Sequence, residues 1–282
     1  MIRFFSIWKK WFLNTLQKCA SLKFNFTFAE VYFKRKRCMK IGIIPARYAS
    51  TRFPGKPLAL IHNKPMIQHV FERCKEADLD EVYVATDDER IKNAVENFGG
   101  KVIMTNPNHA SGTDRCAEAA RTINLKNKDY VINIQGDEPF IRKEEINLLA
   151  NMLDNQKVQI ATLAKPISNH EEFINPNKVK VVFTKSNQAL YFSRSPIPHN
   201  ALLKLQVTSN ESQSILHSFK HLGIYAYRND ILQQITQLPV STLEETEKLE
   251  QLRWLENNYT IHVSVCHHES IAVDTPEDLG LV

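Results

Sequence analysis

From Lys40 onward, short apolar runs of strand length alternate with segments whose apolar residues recur at helical spacing. Helices of this length between successive strands predict right-handed βαβ units and a mainly parallel, Rossmann-like sheet. We expect Thr86 and Glu89 to open one of these helices as a capping box. The predicted strands are 40–44, 81–86, 101–104 and 130–135, and the predicted helices are 65–77, 88–98 and 114–122.

The pattern changes beyond residue 155, where strand-like runs are separated by longer polar connections. This change predicts an α/β fold whose later half adds a mixed-sheet subregion to the same domain. The predicted strands there are 158–163, 179–184, 189–192, 222–227 and 260–265, with one continuous helix over 242–257.

The net charge of +5 is unevenly distributed along the chain. Residues 1–38 hold nine Lys or Arg and one Glu, so they carry +8 and leave −3 for residues 39–282. We therefore divide the chain into a basic extension, 1–38, and one domain, 39–282. Because the domain itself is slightly acidic, the global charge gives no reason to expect a nucleic-acid partner.

Residues 2–19 resemble a basic amphipathic helix, with aromatic and leucine side chains at helical spacing. Such a helix can lie in a membrane interface or bind a partner. Two alternatives stay open: translation begins at Met39 and the extension is an annotation artefact, which we favour, or the extension is a disordered appendage. The apolar residues concerned are Phe4, Phe5, Trp8, Phe12 and Leu16.

The composition of the whole chain excludes several protein classes. With 43% hydrophobic residues and no apolar run approaching about 18 residues, neither intrinsic disorder nor a membrane-spanning helix is expected. The five cysteines are odd in number and lack Cys-x-x-Cys spacing, which argues against a disulfide framework or structural zinc. They favour a reducing compartment, and hence the cytoplasm.

Residues 45–57 directly follow the first predicted strand, at the sheet edge where open α/β sheets bind ligands. Several cations and free backbone amides in one short loop suit a polyphosphate. Neither Gly-x-Gly-x-x-Gly nor Walker A spacing is present, which disfavours a dinucleotide site and a P-loop ATPase. A solvated basic turn is the alternative interpretation. The segment contains a flexible Gly55 together with Arg47, Ser50, Thr51, Arg52 and Lys56.

Two aspartates follow strand-like segments and are expected to face this loop. Asp137 follows the fourth strand, and Asp274 follows the apolar residues 271–273. Each has a structural alternative, since Asp137 can bond its own backbone in a turn and Asp274 can cap a helix beginning at Pro276. Two hard carboxylates beside a phosphate loop instead predict Mg²⁺ bound by Asp137 and Asp274.

Six motifs occur in order along the domain. They are Pro-Ala-Arg-x-x-Ser-Thr-Arg-x-Pro-Gly-Lys-Pro at 45–57, Ser-Gly-Thr-Asp-Arg at 111–115, Gln-Gly-Asp-Glu-Pro at 135–139, His-Leu-Gly-Ile-Tyr at 221–225, Leu-Glu-Gln-Leu-Arg-Trp at 249–254 and Val-Asp-Thr-Pro-Glu-Asp-Leu at 273–279. Together they resemble the 3-deoxy-manno-octulosonate (Kdo) cytidylyltransferase family. The resemblance runs from about Met39 to Leu279 and excludes the extension.

The resemblance implies a nucleotide-diphospho-sugar transferase-like fold and the reaction of CTP with Kdo to give CMP-Kdo and pyrophosphate, for lipopolysaccharide biosynthesis. By this likeness, Asp137 and Asp274 hold Mg²⁺ and act in catalysis with Arg47 and Lys56. The residues implied to bind the nucleotide are Arg47, Ser50, Thr51, Arg52, Lys56 and Arg115. Without the likeness, Arg115 reads as a solvated residue in the first turn of a helix.

The resemblance also implies a pocket for the acidic, hydroxyl-rich sugar and a homodimer. Taken alone, the sequence around Glu250 is more typical of a solvated helix face, and His221 of a structural residue. The residues that match the sugar-binding positions of the family are Gln135, Arg194, His221, Tyr225, Glu250 and Gln251.

Three stretches depart from the family pattern. Residues 266–272 lack the usual Pro/Gly-containing turn, the terminal helix is about two turns shorter than usual, and residues 201–214 match only loosely. Two other functions therefore remain in view: a cytidylyltransferase for another acidic sugar, such as 8-amino-Kdo or sialic acid, and a weakly active scaffold associated with membranes.

Overall fold

The computed structural model describes residues 38–49, 53–199, 218–268, 273 and 275–281. Met39–Val282 forms one compact unit. The expectations for residues 2–19 and 201–214 lie outside the described residues, as do those for Ser50, Thr51, Arg52 and Asp274.

Strands and helices alternate through the first half of the compact unit, and strands predominate after residue 160. The strands are β1 (Lys40–Ala46), β2 (Leu60–Ile61), β3 (Lys64–Pro65), β4 (Glu81–Thr86), β5 (Val102–Met104), β6 (Tyr130–Asn133), β7 (Ile160–Pro166), β8 (Lys180–Phe183), β9 (Ala189–Ser193), β10 (Phe219–Arg228) and β11 (Ile261–Val265). The α-helices are α1 (Met66–Lys75), α2 (Glu89–Asn97), α3 (Gly112–Thr122), α4 (Lys143–Met152), α5 (His170–Ile174), α6 (Asn229–Ile235), α7 (Thr242–Glu247) and α8 (Gln251–Glu256). Short 3₁₀ helices cover Lys56–Leu58 and Pro276–Leu281.

The main sheet has the strand order β11-β7-β10-β6-β1-β4-β5, and β8 connects β10 to β9. Pairing is parallel between β1 and its neighbours β4 and β6, between β4 and β5, and between β7 and β11. Strand β10 is antiparallel to β6, β7 and β8. The predicted α/β fold, mainly parallel with an added mixed part, is therefore confirmed.

The position of β1 at the centre of the sheet explains why its residues are mostly apolar. Strand β1 lies between β4 and β6, and its Ile41, Ile43 and Ile44 are fully buried, as expected of a parallel strand covered on both faces. On the other half of the sheet, the Trp254 indole packs edge-on against the rings of Tyr225 and Tyr227. Because β1, β4, β5 and β6 run in one direction, their carboxyl ends share one edge of the sheet.

The prediction of one helix over 242–257 is wrong. Lys248 adopts a left-handed conformation (φ 54°), which ends α7 and lets α8 begin three residues later. The turn buries Leu249, and Arg253 of α8 reaches back to form an ion pair with Glu244 of α7 at 2.9 Å. Tertiary packing therefore overrides a sequence that contains no Gly or Pro at the break.

The predicted capping box of Thr86 and Glu89 is also wrong. Thr86 still belongs to β4, and Asp88 caps α2 by accepting a hydrogen bond from the Arg90 backbone amide. Capping by an aspartate one residue before the first helical residue satisfies the same orphan amides.

Among the described residues, no helix combines the length and apolar character needed to cross a bilayer.

Candidate active site

A cavity of about 280 Å³ opens at the edge of the sheet where β1 and β6 end. It is lined by residues 45–47, 56–57, 109–112, 115 and 135–137. These residues come from three separate parts of the chain: the end of β1 with the segment after it, the N-terminus of α3, and the segment after β6. The cavity therefore lies where the parallel strands of an α/β sheet are expected to place a ligand.

The segment after β1 folds back on itself before Lys56. The Gly55 amide donates to the Tyr48 carbonyl oxygen at 2.9 Å, and Gly55 adopts φ +72°. A Cβ at Gly55 would lie 3.0 Å from the Tyr48 ring, whose face carries the Arg90 guanidinium at 3.3 Å. A residue with a side chain is therefore disfavoured at this turn by both backbone conformation and space.

Lys56 and Asp137 meet at the cavity. The Lys56 Nζ lies 2.7 Å from Asp137 Oδ2, with the two side chains 15% and 30% exposed. Arg47 is exposed and lines the same cavity. The described part of the predicted phosphate loop thus brings two cations to this opening, and the segment after β6 adds one carboxylate.

Asp137 is also joined to the segment that carries the second predicted metal ligand. The Val273 amide donates to the Asp137 carbonyl oxygen at 2.9 Å, so the residue preceding Asp274 is fixed beside Asp137. Carboxylate oxygens are the ligands that Mg²⁺ prefers, so the chemistry of this donor set suits the ion. Within the described ranges, no cluster of three or more His, Cys, Asp or Glu side chains that could hold a metal ion is found.

Arg115 lines the cavity from α3 and is 4% exposed. Its Nη1 donates to Thr105 Oγ1 at 2.6 Å, and its Nη2 lies 3.0 Å from Asp87 Oδ1. The interpretation of Arg115 as a solvated residue is therefore wrong. Asp87 and Thr105 directly follow β4 and β5, so they hold the guanidinium at the same strand edge.

The N-terminus of α3 also faces the cavity. Ser111 and Asp114 form a reciprocal capping box there, which the sequence contains but which we did not predict. His109, two residues earlier, lines the cavity and pairs with Glu118 of the same helix. We did not predict His109 from the sequence. Its position between the end of a strand and the cap of a helix was the feature that could have indicated it. A helix N-terminus with free amides favours an anionic ligand.

Three of the residues predicted for the sugar gather around an irregularity in β10. The Gln135 Nε2 donates to the Gly223 carbonyl oxygen at 3.0 Å, and the His221 and Tyr225 rings lie 5.3 Å apart. Pairing between β10 and β7 changes register between Leu222 and Tyr225, as in a β-bulge. Bulges are common beside functional sites because they redirect side chains.

Glu250 joins the start of α8 to α3, and Gln251 is buried next to it on α8. The Thr113 hydroxyl donates to Glu250 Oε2 at 2.7 Å. Burial raises the pKa of the Glu250 carboxyl, although hydrogen bonds from Thr113 and Ser111 oppose that shift. The interpretation of Glu250 as a solvated helix residue is wrong, because its carboxylate accepts this bond from a buried threonine.

Arg194 is engaged elsewhere. Its guanidinium donates to the backbone carbonyl oxygens of Glu247 (2.8 Å), Pro176 (3.1 Å) and Lys248 (3.4 Å). Two of these carbonyls lie at the C-terminus of α7, where a cation is favoured by the helix dipole. The described contacts of the Arg194 guanidinium are thus with the α7–α8 turn and with the segment between α5 and β8, unlike those of Gln135, His221 and Tyr225.

Comparison with known proteins gives consistent matches. A profile of the family described as cytidylyltransferase matches residues 41–262. The 3-deoxy-manno-octulosonate cytidylyltransferase of Parabacteroides distasonis is 53% identical over 244 residues, covering 85% of this chain and 94% of the relative. The 8-amino-3,8-dideoxy-manno-octulosonate cytidylyltransferase of Shewanella sp. is 50% identical over 242 residues, covering 85% of this chain and 95% of that relative.

A solved structure matches at similar coverage. The CMP:2-keto-3-deoxy-manno-octonic acid synthetase complexed with CTP aligns with a TM-score of 0.78 at 44% identity, covering 86% of this chain and 96% of that chain. The two sequence relatives act on different sugars by name, and both are cytidylyltransferases.

Proposed function

Because this chain belongs to the 3-deoxy-manno-octulosonate cytidylyltransferase family, we propose that it transfers CMP from CTP to Kdo and releases pyrophosphate. The observation that carries the proposal is the meeting of Lys56 and Asp137, at 2.7 Å, in a cavity lined by segments of three family motifs. Activated sugar of this kind serves lipopolysaccharide assembly, as the resemblance implies.

The triphosphate is bound by the segment after β1. Lys56 supplies a point charge at the cavity and Arg47 an exposed guanidinium fork, which suit the terminal phosphates. Ser50, Thr51 and Arg52 complete this set by the family resemblance. Arg115 and the N-terminus of α3 bind the cytidine part of CTP. The ion pair with Asp87 fixes the Arg115 guanidinium before the nucleotide binds.

Asp137 and Asp274 hold Mg²⁺ in this proposal. Bound there, the ion neutralises charge on the reacting phosphate and makes the sugar hydroxyl more acidic. The hydroxyl oxygen on the anomeric carbon of Kdo bonds to the α-phosphorus, and the bond from that phosphorus to the bridging oxygen of pyrophosphate breaks. The hydroxyl proton passes to solvent. Such a displacement asks the protein mainly for positioning and charge compensation.

The sugar is held on the β10 side of the cavity by Gln135, His221, Tyr225, Glu250 and Gln251, with Arg194 included by resemblance. Burial lowers the pKa of the His221 imidazole to about 3, so the ring is neutral at physiological pH. A neutral imidazole and a carboxylate can both form hydrogen bonds with hydroxyl groups, and the acceptor sugar carries several of them.

The proposal also includes a homodimer and a cytoplasmic location, and contact of residues 2–19 with a membrane surface stays one of the three interpretations of the extension given above. The dimer rests on the family resemblance. The location rests on the cysteines, because Cys38, Cys74, Cys116 and Cys266 form no disulfide in the part of the chain that the structure describes. The membrane contact rests on sequence pattern alone. Co-sedimentation of the full chain and of Met39–Val282 with anionic lipid vesicles tests it: sedimentation of the full chain alone would support the contact, and sedimentation of neither would remove it.

The first experiment is a sugar panel. Purified protein with CTP and Mg²⁺ is expected to release pyrophosphate fastest with Kdo, when 8-amino-Kdo and sialic acid are offered separately at equal concentration. Faster release with 8-amino-Kdo would assign the chain to the specificity of its Shewanella relative. No release with any of the three sugars would overturn the proposed function.

Replacing Gly55 by alanine tests the turn that presents Lys56. A non-glycine residue in the left-handed region costs about 1 kcal/mol, and the added methyl group also displaces Tyr48. We expect the KM for CTP to rise at least about fivefold, the factor to which about 1 kcal/mol corresponds. Steady-state kinetics at saturating sugar measures this change.

Gly99→Ala is the matched control, because Gly99 has φ +77° and no atoms within 4 Å of the added methyl position. This variant is expected to lose a comparable free energy of unfolding with an unchanged KM for CTP. Equal effects of both substitutions on that KM would show that Gly55 acts only through stability.

A further inference from the structure

A fully buried hydroxyl lies beneath the β10 bulge. Thr162 is in the middle of β7, directly opposite Tyr225, and its side chain has no exposure to solvent. Its Oγ1 lies 2.8 Å from the Ile224 carbonyl oxygen, 3.2 Å from the Leu222 carbonyl oxygen and 3.0 Å from His221 Nε2. One hydroxyl group therefore contacts both sides of the bulge and the histidine ring.

The number of protons decides which atom donates in each of these contacts. A threonine hydroxyl has a single proton, and the two carbonyl oxygens can only accept. If that proton pointed at His221, both carbonyl contacts would join oxygens with no hydrogen between them. All three contacts are favourable only when Thr162 donates to the carbonyls and His221 Nε2 carries a proton that it donates to Thr162.

The remaining ring nitrogen then has a defined role. Because burial keeps the imidazole neutral, a proton on Nε2 leaves Nδ1 with a lone pair that can only accept. The ring plane is fixed from two sides, since the Phe192 ring packs edge-on at 5.0 Å and the Tyr225 ring lies at 5.3 Å. Among the described residues, no atom forms a hydrogen bond with Nδ1. This nitrogen is also not among the buried polar atoms that are closed off from solvent without a partner.

We propose that Thr162 is a positioning residue that fixes the Nε2–H tautomer of His221, so that Nδ1 accepts a hydrogen bond from a hydroxyl group of the acceptor sugar. The inference rests on the proposed function for the identity of that ligand. It assigns His221 to a hydroxyl and excludes the sugar carboxylate as its partner, because two acceptors cannot share a hydrogen bond without a proton.

The tautomer can be read without any variant or substrate. Nitrogen-15 NMR of the ¹⁵N-histidine-labelled full chain separates the two neutral forms by the shifts of Nδ1 and Nε2. We expect His221 to populate the Nε2–H form alone, from neutral pH down to the acid limit of folding. A protonated Nδ1 in the wild-type protein would overturn the inference, whatever the protein's activity.

The variant Thr162→Val removes the hydroxyl and keeps the branched shape, whereas Thr162→Ser keeps the hydroxyl. We expect Thr162→Val to mix the two tautomers of His221 and to raise the KM for Kdo about tenfold, the loss of about one hydrogen bond, with the KM for CTP unchanged. Thr162→Ser should restore the single tautomer and most of the sugar affinity.

Thr236→Val is the control, because its hydroxyl donates to the Leu232 carbonyl oxygen on α6, away from the cavity-lining residues. It is expected to leave both KM values unchanged. Active Thr162→Val with an unaltered tautomer and KM for Kdo would overturn the inference and leave the proposed function standing. If the wild-type protein used none of the sugars, the proposed function would be wrong. The assignment of a sugar hydroxyl to His221 Nδ1 would then be wrong as well.

Discussion

Asp137→Asn is expected to reduce the turnover number at least about 100-fold, while the protein remains folded. The carboxylate is 30% exposed and lies 2.7 Å from Lys56, so an amide of the same shape keeps the packing and removes the charge. In the proposed site this charge holds Mg²⁺, and an amide oxygen is a much weaker ligand for a hard cation. Asp274→Asn is expected to have the same effect.

Two measurements separate metal binding from other causes. Turnover is measured as a function of Mg²⁺ concentration, and Mn²⁺ binding in the presence of CTP is followed by electron paramagnetic resonance. Asp230→Asn is the matched control, because Asp230 is a partly exposed carboxylate that also pairs with a cation, Arg228, at 2.6 Å. If Asp137→Asn kept near-wild-type turnover at saturating Mg²⁺, the metal assignment would be wrong.

Lys56→Ala is expected to raise the KM for CTP by about 10- to 100-fold, because a charge-assisted contact with phosphate contributes about 1.5–3 kcal/mol. The effect on the free energy of unfolding should be small, about 0–1 kcal/mol, since the ion pair with Asp137 is only partly buried. Turnover at saturating CTP should change less than KM, as lost ground-state binding predicts.

Lys64→Ala provides the comparison for this second prediction. Lys64 lies in the adjacent β2–β3 hairpin and pairs with Glu72 at 2.9 Å, with both side chains about half exposed. Its removal is expected to leave the KM for CTP unchanged. An unchanged KM in Lys56→Ala would show that the segment after β1 does not bind the triphosphate.

Local sequence pattern was sufficient to predict the parallel part of the fold. The strand at 81–86 agrees at both ends with the structure, and β1 extends two residues beyond the predicted 40–44. The interiors of these strands are mostly apolar because helices pack against this part of the sheet, which makes the pattern strong. The preference for glycine at position 55 also has a local cause, because the backbone there adopts a positive φ.

Features set by distant contacts could not be predicted. The helix over 242–257 is interrupted at Lys248, and the carbonyls exposed by the break accept hydrogen bonds from Arg194, which directly follows β9. Arg115 reads as solvated in its own helix, yet it is buried by Asp87 and Thr105 from two other strand ends. Such pairings depend on the order of the strands in the sheet, and the spacing of apolar residues along one segment does not reveal that order.

The most direct test of the proposed function follows the α-phosphate of CTP. The full chain is incubated with Mg²⁺, Kdo and CTP labelled at the α-phosphorus, and the products are separated. We expect the label to move into a CMP-sugar while unlabelled pyrophosphate appears in equal amount. Label that stays in CTP, or that is released as free CMP or CDP without entering a sugar product, would contradict it.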